Sequence, residues 1–481
     1  MAWRNGDVVR LGGMTALTVG VGALTAALAG LGGPALPVPA TGSAAPQATV
    51  IIHPGVQYVG HSARRPPTTA DCQASFQVAC YQPAQIQQAY NLPSLYDEGV
   101  NGSGATVVIV DSFGSPTIAN DLAVFDQQFG LPAPPSFKII RPAGAVPPYD
   151  PSNTQMFSWA GETSLDVEYA HAVAPGANIL LVETPVAETE GVTGFPQIVE
   201  AEEYVVDHHL GDVISQSFGA TELTFPSAAA VEALRGAYTD AYRHHITVLS
   251  ASGDDGATDL GLNGQTLYTR PVTSWPASDP LVTGVGGTQL HLDSSGSRLS
   301  PDSVWNDTFN AAAQEFILGS RGPSPLASGG GRSIFFPRPA YQNLARNVVG
   351  LSRGVPDISM SAACDGAVDV YQSFGGQAPG WYPTCGTSEA TPLFAGIVAL
   401  ADQMAHHPLG LINPALYAMA AQHLPGLVDV TSGNNTVSFL QGGRWHTVHG
   451  FTAGPGYDLA SGLGTVNAAE FVPELAALAG P

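Results

Sequence analysis

Four short apolar runs recur through the first half of the chain, and each ends in a polar residue. Ala105-Thr106-Val107-Val108-Ile109-Val110 stops at Asp111, and Asn178-Ile179-Leu180-Leu181-Val182 forms a second run. Val213-Ile214-Ser215 and Ile246-Thr247-Val248-Leu249-Ser250 follow. Runs of this length, rich in β-branched residues, predict strands buried on both faces. Helical patterns lie among them, at Glu162 to Ala172, Phe195 to His208 and Ala228 to Arg243. A later helix is predicted over Glu389 to Met404. Strands alternating with helices predict an α/β fold, a doubly wound, mostly parallel sheet with helices on both faces. Sites in such sheets form at the carboxyl ends of the strands, where Asp111, Ser217 and Asp254 fall. There is no internal repeat.

The ends differ from this centre. Residues 11–33 are apolar and follow Arg4 and Arg10, and small-residue cleavage sites such as Ala27-Leu28-Ala29, late in the run, or Ser43-Ala44-Ala45, beyond it, are present. Residues 1–45 therefore read as an export signal with a Pro/Ala-rich cleavage region. An uncleaved membrane anchor is the alternative. Residues 46–80 are polar and contain Arg64-Arg65-Pro66-Pro67, which predicts a short N-terminal extension. Residues 81–481 are expected to form one catalytic domain. Residues 288–341 and 429–467 are loop-rich.

Composition narrows the class. The 481 residues carry a formal net charge of −23, and Lys138 is the only lysine. Nucleic acid is excluded as a partner, because its phosphates need a basic face. Once a signal is removed, no further segment is apolar enough to span a membrane, so a secreted protein is expected, as a monomer. Four cysteines allow three pairings. Cys72 with Cys80 and Cys364 with Cys385 are the local ones, and two free buried thiols are the other reading. No spacing fits zinc.

The candidate chemistry centres on Gly386-Thr387-Ser388-Glu389-Ala390-Thr391-Pro392, a serine entering a helix. A helix N-terminus offers free N–H groups to a developing oxyanion. The same residues also fit a plain N-cap. No His-Gly-Thr-His stretch supplies the usual base. Glu162 and Asp166 lie four apart, on one helix face, and two close carboxyls can share a proton. Asp254, in Ser252-Gly253-Asp254-Asp255-Gly256, follows a strand and could donate to an oxyanion when protonated.

These segments together resemble the sedolisins, the serine-carboxyl peptidases, which have a subtilisin-like fold. Tyr81-Gln82-Pro83-Ala84-Gln85, Trp275-Pro276-Ala277-Ser278, Val285-Gly286-Gly287-Thr288 and Val304-Trp305-Asn306 add to the resemblance, which runs from about Tyr81 to the C-terminus. It implies that Ser388 attacks a peptide carbonyl and Glu162 takes its proton. It implies that Asp166 orients Glu162 and that protonated Asp254 joins the Ser388 N–H in the oxyanion hole. Asp111 would extend the carboxyl network. Ser215-Gln216-Ser217-Phe218-Gly219 would line the cleft, with Phe218 where some relatives have tryptophan. The resemblance also implies a structural Ca2+ held by Asp429, Val430, Gly454, Gly456 and Asp458 in a calcium-binding C-terminal region. The expected substrate is a peptide or protein, cleaved in acid. Many relatives carry a long folded pro-domain, for which residues 46–80 are too short. Two rival readings remain. One is a subtilisin-type peptidase, with His171 as the nearest histidine. The other is a non-catalytic, calcium-stabilised surface protein on a peptidase scaffold.

Overall fold

The computed structural model describes residues 57–316, 318–319 and 322–480. The expected signal of residues 1–45 and the start of the expected extension lie outside the described residues. The strand Thr106–Ser112 sits inside an eight-stranded sheet. Asn178–Thr184 and then Phe137–Ile140 extend the sheet on one side. Val213–Gln216, Thr247–Ala251 and Thr283–Gln289 extend it on the other. These six strands run parallel, and Ile358–Ser361 adds in parallel to Thr283–Gln289. Only Ser303–Val304 pairs antiparallel.

Alternation along Thr106–Ser112 divides the core. Val107 and Ile109 pack with the helices Thr154–Val173 and Thr387–Ala405. Val108 and Val110 pack on the opposite face with Phe195–Asp207 and Gly236–Arg243. This two-faced burial is why the run is apolar throughout. The strand order turns about Thr106–Ser112, so the carboxyl ends there open into a crevice.

Three expectations need correction. The predicted helix Ala228 to Arg243 is two helices, Ala228–Glu232 and Gly236–Arg243. Arg235 leaves helical geometry to hold buried Asp279, at 2.5 and 3.0 Å, and Gly236 restarts the helix. The helix carrying Glu162 starts eight residues earlier, at Thr154, where Asn153 caps the Gln155 and Met156 amides. The loop-rich C-terminal stretch contains a hairpin, Val437–Gln441 with Arg444–Val448.

The described part of the extension is built into the fold. Val59, Cys72, Phe76, Val78 and Cys80 belong to the main core. Cys72 is bonded to Cys80, and Cys364 to Cys385, which braces the segment leading to Ser388.

Candidate active site

Ser388 enters the crevice because Gly386 takes a φ of 134°, which turns the chain sharply into the helix Thr387–Ala405. Any Cβ at Gly386 would come within 2.7 Å of Asp254 Oδ2. Asp254 is thereby pressed against the nucleophile turn. Its Oδ1 accepts the Thr387 N–H and the Thr387 hydroxyl, each at 2.7 Å. The other oxygen is left for the cleft. The Ser388 N–H is a first-turn amide with no intrahelical acceptor, so two donors converge beside the serine whenever Asp254 is protonated.

Glu162 and Asp166 face this point from the helix Thr154–Val173, and both are fully buried. Asp166 Oδ1 accepts the Ser217 hydroxyl at 3.0 Å, and that hydroxyl lies 3.4 Å from the Ser388 carbonyl oxygen. Neither oxygen of Glu162 has a well-formed hydrogen bond. The Ser388 hydroxyl lies beside Glu162 and favours its charged form, but burial outweighs it. Burial, then the charge of Asp111, holds Glu162 well above the usual carboxylate range. Burial, then Asp111 and Glu162, does the same to Asp166. Asp111 is pushed up to about 7 by burial, with Glu183 adding and the Thr163 hydroxyl opposing. Asp254 is pushed up to about 6 by burial against the two Thr387 bonds. Like charges in a dry site cannot all ionise, so the cluster shares protons.

The cleft beside Ser388 encloses about 350 Å³ and includes Ser217, Phe218, Gly253 and Asp254. All four predicted catalytic residues therefore converge. Four more acids line this cleft: Asp255, in the same turn as Asp254, and Glu188, Glu190 and Asp259, which lie in loops and carry no sequence signal. Among the described residues no histidine lines the cleft. His171 instead meets the Pro132 carbonyl at 2.8 Å and Asp126 at 3.2 Å, which removes it as a base for Ser388.

Of the predicted calcium ligands, Asp429 meets Gly456, its Oδ2 accepting the N–H at 2.8 Å, and Asp458 meets Gly454, its Oδ2 accepting the N–H at 3.1 Å. Space is open around Gly454 and Gly456. Among the described residues no group of three or more His, Cys, Asp or Glu is arranged for a metal.

Comparison with known proteins gives the family. A model of the subtilase family matches residues 154–442. Kumamolisin of Bacillus sp. (strain MN-32) is 32% identical over 393 residues, 80% of this chain and 62% of its own length. Tripeptidyl-peptidase 1 of Canis lupus familiaris is 30% identical over 449 residues, 86% of this chain and 69% of its own. The solved structure of Pseudomonas sedolisin, a serine-carboxyl proteinase complexed with pseudo-iodotyrostatin, superposes with a TM-score of 0.68 at 25% identity. That match covers 83% of this chain and 99% of the sedolisin chain. The chain belongs to the subtilase family and, within it, to the sedolisin-type serine-carboxyl peptidases. It spans under two thirds of the length of kumamolisin.

Proposed function

We propose that the chain is a secreted, acid-active peptidase that hydrolyses peptide bonds through an acyl-enzyme on Ser388. The observation that carries this reading is the buried carboxyl pair Glu162 and Asp166, set against a helix-start serine in a cleft without histidine. In the first step Ser388 Oγ bonds to the peptide carbonyl carbon and its proton passes to Glu162. The oxyanion is held by the Ser388 N–H and protonated Asp254. The C–N bond breaks and the amine leaves with the proton from Glu162. Water then attacks the ester, Glu162 takes its proton, and that proton returns to Ser388 as the acid product leaves. Asp166, fixed by Ser217, orients Glu162 and holds the shared proton. Asp254 loses its donor proton as pH rises through about 6, so the chemistry belongs to acid.

The C-terminal loops fit Ca2+, with carboxylates of Asp429 and Asp458 and carbonyls of Val430, Gly454 and Gly456 as an all-oxygen set. The ion would neutralise two carboxylates and pin loops that have little core of their own. Chelation should lower the melting temperature, and Asp429→Asn should abolish that response. A chelator with no effect on melting would remove the ion from the proposal.

The decisive experiment is a pH–activity profile on a denatured protein substrate, with Ser388→Ala and Glu162→Gln alongside. A profile centred in acid and abolished by both variants is expected. An alkaline optimum would sink the carboxyl mechanism. No hydrolysis at any pH would favour the non-catalytic reading.

A further inference from the structure

The chain just before Tyr81 is not packed as a detachable leader. Gln57–Tyr58 forms a strand antiparallel to Thr384 and Cys385, next to the nucleophile turn. The pairing continues beyond the strand. The Val59 N–H donates to the Pro383 carbonyl at 2.8 Å, and Ser62 exchanges two backbone bonds with Trp381 at 2.9 and 2.8 Å. Val59 and His61 are buried. Further along, the Cys72–Cys80 bond closes the segment, and Asp365 Oδ1 accepts the Ala79 N–H at 2.7 Å.

Two side chains of this strand reach the candidate site. Gln57 lines the same cleft as Ser388 and Asp254. The Tyr58 hydroxyl lies against Gly161, the residue before Glu162, so closely that a Cβ at Gly161 is excluded. That hydroxyl oxygen is buried. In this state the hydroxyl is paired with the Gln372 side chain, and Glu162 is near enough for its charge to act on it, so the hydroxyl can turn to Glu162 when that carboxyl ionises. The state that gains most is ionised Glu162, because charge-assisted bonds are the strong ones.

We infer that the strand Gln57–Tyr58 is a resident wall of the active site, with Tyr58 a positioning residue for Glu162 and Gln57 a residue facing substrate. This rests on the proposed peptidase activity. The extension is then working structure from Gln57 onward, and maturation cuts fall upstream of it.

The test begins with the N-terminal residue of the active enzyme, which should be Gln57 or earlier. Tyr58→Phe should lower kcat about tenfold, the weight of one hydrogen bond to a charged group, with KM within about twofold. The acid limb of its pH profile should move upward, since ionised Glu162 has lost a donor. Gln57→Ala should reorder kcat/KM among peptide substrates and leave that limb in place. A chain nicked at the exposed Arg64–Arg65 bond and stripped of its N-terminal piece should lose activity and regain it when the peptide is added back. Full activity in a form starting after Ser62 overturns the inference. So does a Tyr58→Phe enzyme with unchanged kcat and pH profile, or one that only melts earlier. If the intact chain hydrolyses nothing, the peptidase reading falls and takes this inference with it; a hydrolysing chain indifferent to these changes refutes the inference alone.

Discussion

Two sets of buried carboxyls in this molecule have opposite surroundings. Glu222 is 1% exposed, and its Oε1 accepts the Ser278 and Ser333 hydroxyls at 2.6 and 2.5 Å. Its Oε2 accepts the Ile334 N–H at 2.6 Å. Asp357 is fully buried against the Arg353 guanidinium, the Tyr417 hydroxyl at 2.8 Å and the Gly284 N–H at 2.9 Å. Around Ser388 the partners are fewer and poorly aligned, apart from the Ser217 hydroxyl on Asp166. Both oxygens of Glu162, both of Asp111 and one each of Asp166 and Glu188 lack a well-formed hydrogen bond. Native proteins leave few buried polar atoms unpaired. Other buried carboxyls, such as Glu202 and Asp369, also lack partners, but around Ser388 several carboxyls act on one another, the arrangement that the proposed proton transfers need. The first set holds the fold, and the second is held by it.

The sharpest break of this comparison is Glu162→Gln. Activity should fall by about 10⁴-fold or more, the usual loss when a member of such a triad is removed. Melting at pH 7 should stay level or rise, because a neutral amide replaces a carboxyl that burial disfavours. A large loss of stability would erase the distinction. Asp357→Ala should do the reverse. It leaves Arg353 buried without its counter-charge, at a cost of about 3–5 kcal/mol in chemical denaturation. A loss below about 1 kcal/mol would show that this pair is not structural.

Asp254 stands between the two sets, since one oxygen is satisfied and the other faces the cleft. Asp254→Ala should cost about 10²–10³ in kcat, as for other oxyanion donors. Asp254→Asn keeps a donor that no longer titrates. It should retain part of the rate and extend activity above pH 6, where the aspartic acid ionises. Identical pH limbs in Asn and wild-type enzymes would show that another group sets the fall.

The sequence disclosed the second set better than the first. Ser388, Glu162, Asp166 and Asp254 are legible because chemistry fixes residue type and spacing at strand ends and helix starts. Ser217 was legible as cleft lining but not as the partner of Asp166, which depends on how a helix and a strand end dock. Glu188 and Glu190 sit in a loop where an acid is ordinarily solvated, so nothing in the sequence separates them from surface charge. The strand Gln57–Tyr58 is two residues long. Its pairing is imposed by its partner strand, and no periodicity announces it. Some misses did carry a signal. Gly442-Gly443 lies between segments with Val437 and Phe439 buried and Leu440 and Trp445 exposed, the pattern of a tight hairpin. Asn153, a good N-cap, marked the true start of the Glu162 helix.

The smallest effect is the pH dependence of stability, and its sign separates the two sets again. Burial raises Asp111 to about 7 and Glu188 to about 8 in the folded protein, against about 4 for an unfolded carboxyl. A raised carboxyl binds its proton more tightly in the folded state. Its contribution is fully present below the unfolded value and is lost as pH rises through the folded one. Melting temperature should therefore fall between about pH 4 and pH 8, the opposite of a protein held by salt-bridged carboxylates. Asp111→Asn with Glu188→Gln removes two groups that titrate in this window, so the double variant should melt more evenly across it and exceed the parent near pH 8. The same curve for Glu222→Gln should drop at every pH, because the amide nitrogen cannot accept the Ile334 N–H that Oε2 accepts and the two donors face each other in a dry site. If both variants fall in parallel with the parent, the carboxyls around Ser388 are as well satisfied as the structural ones, and the contrast between the two regions fails.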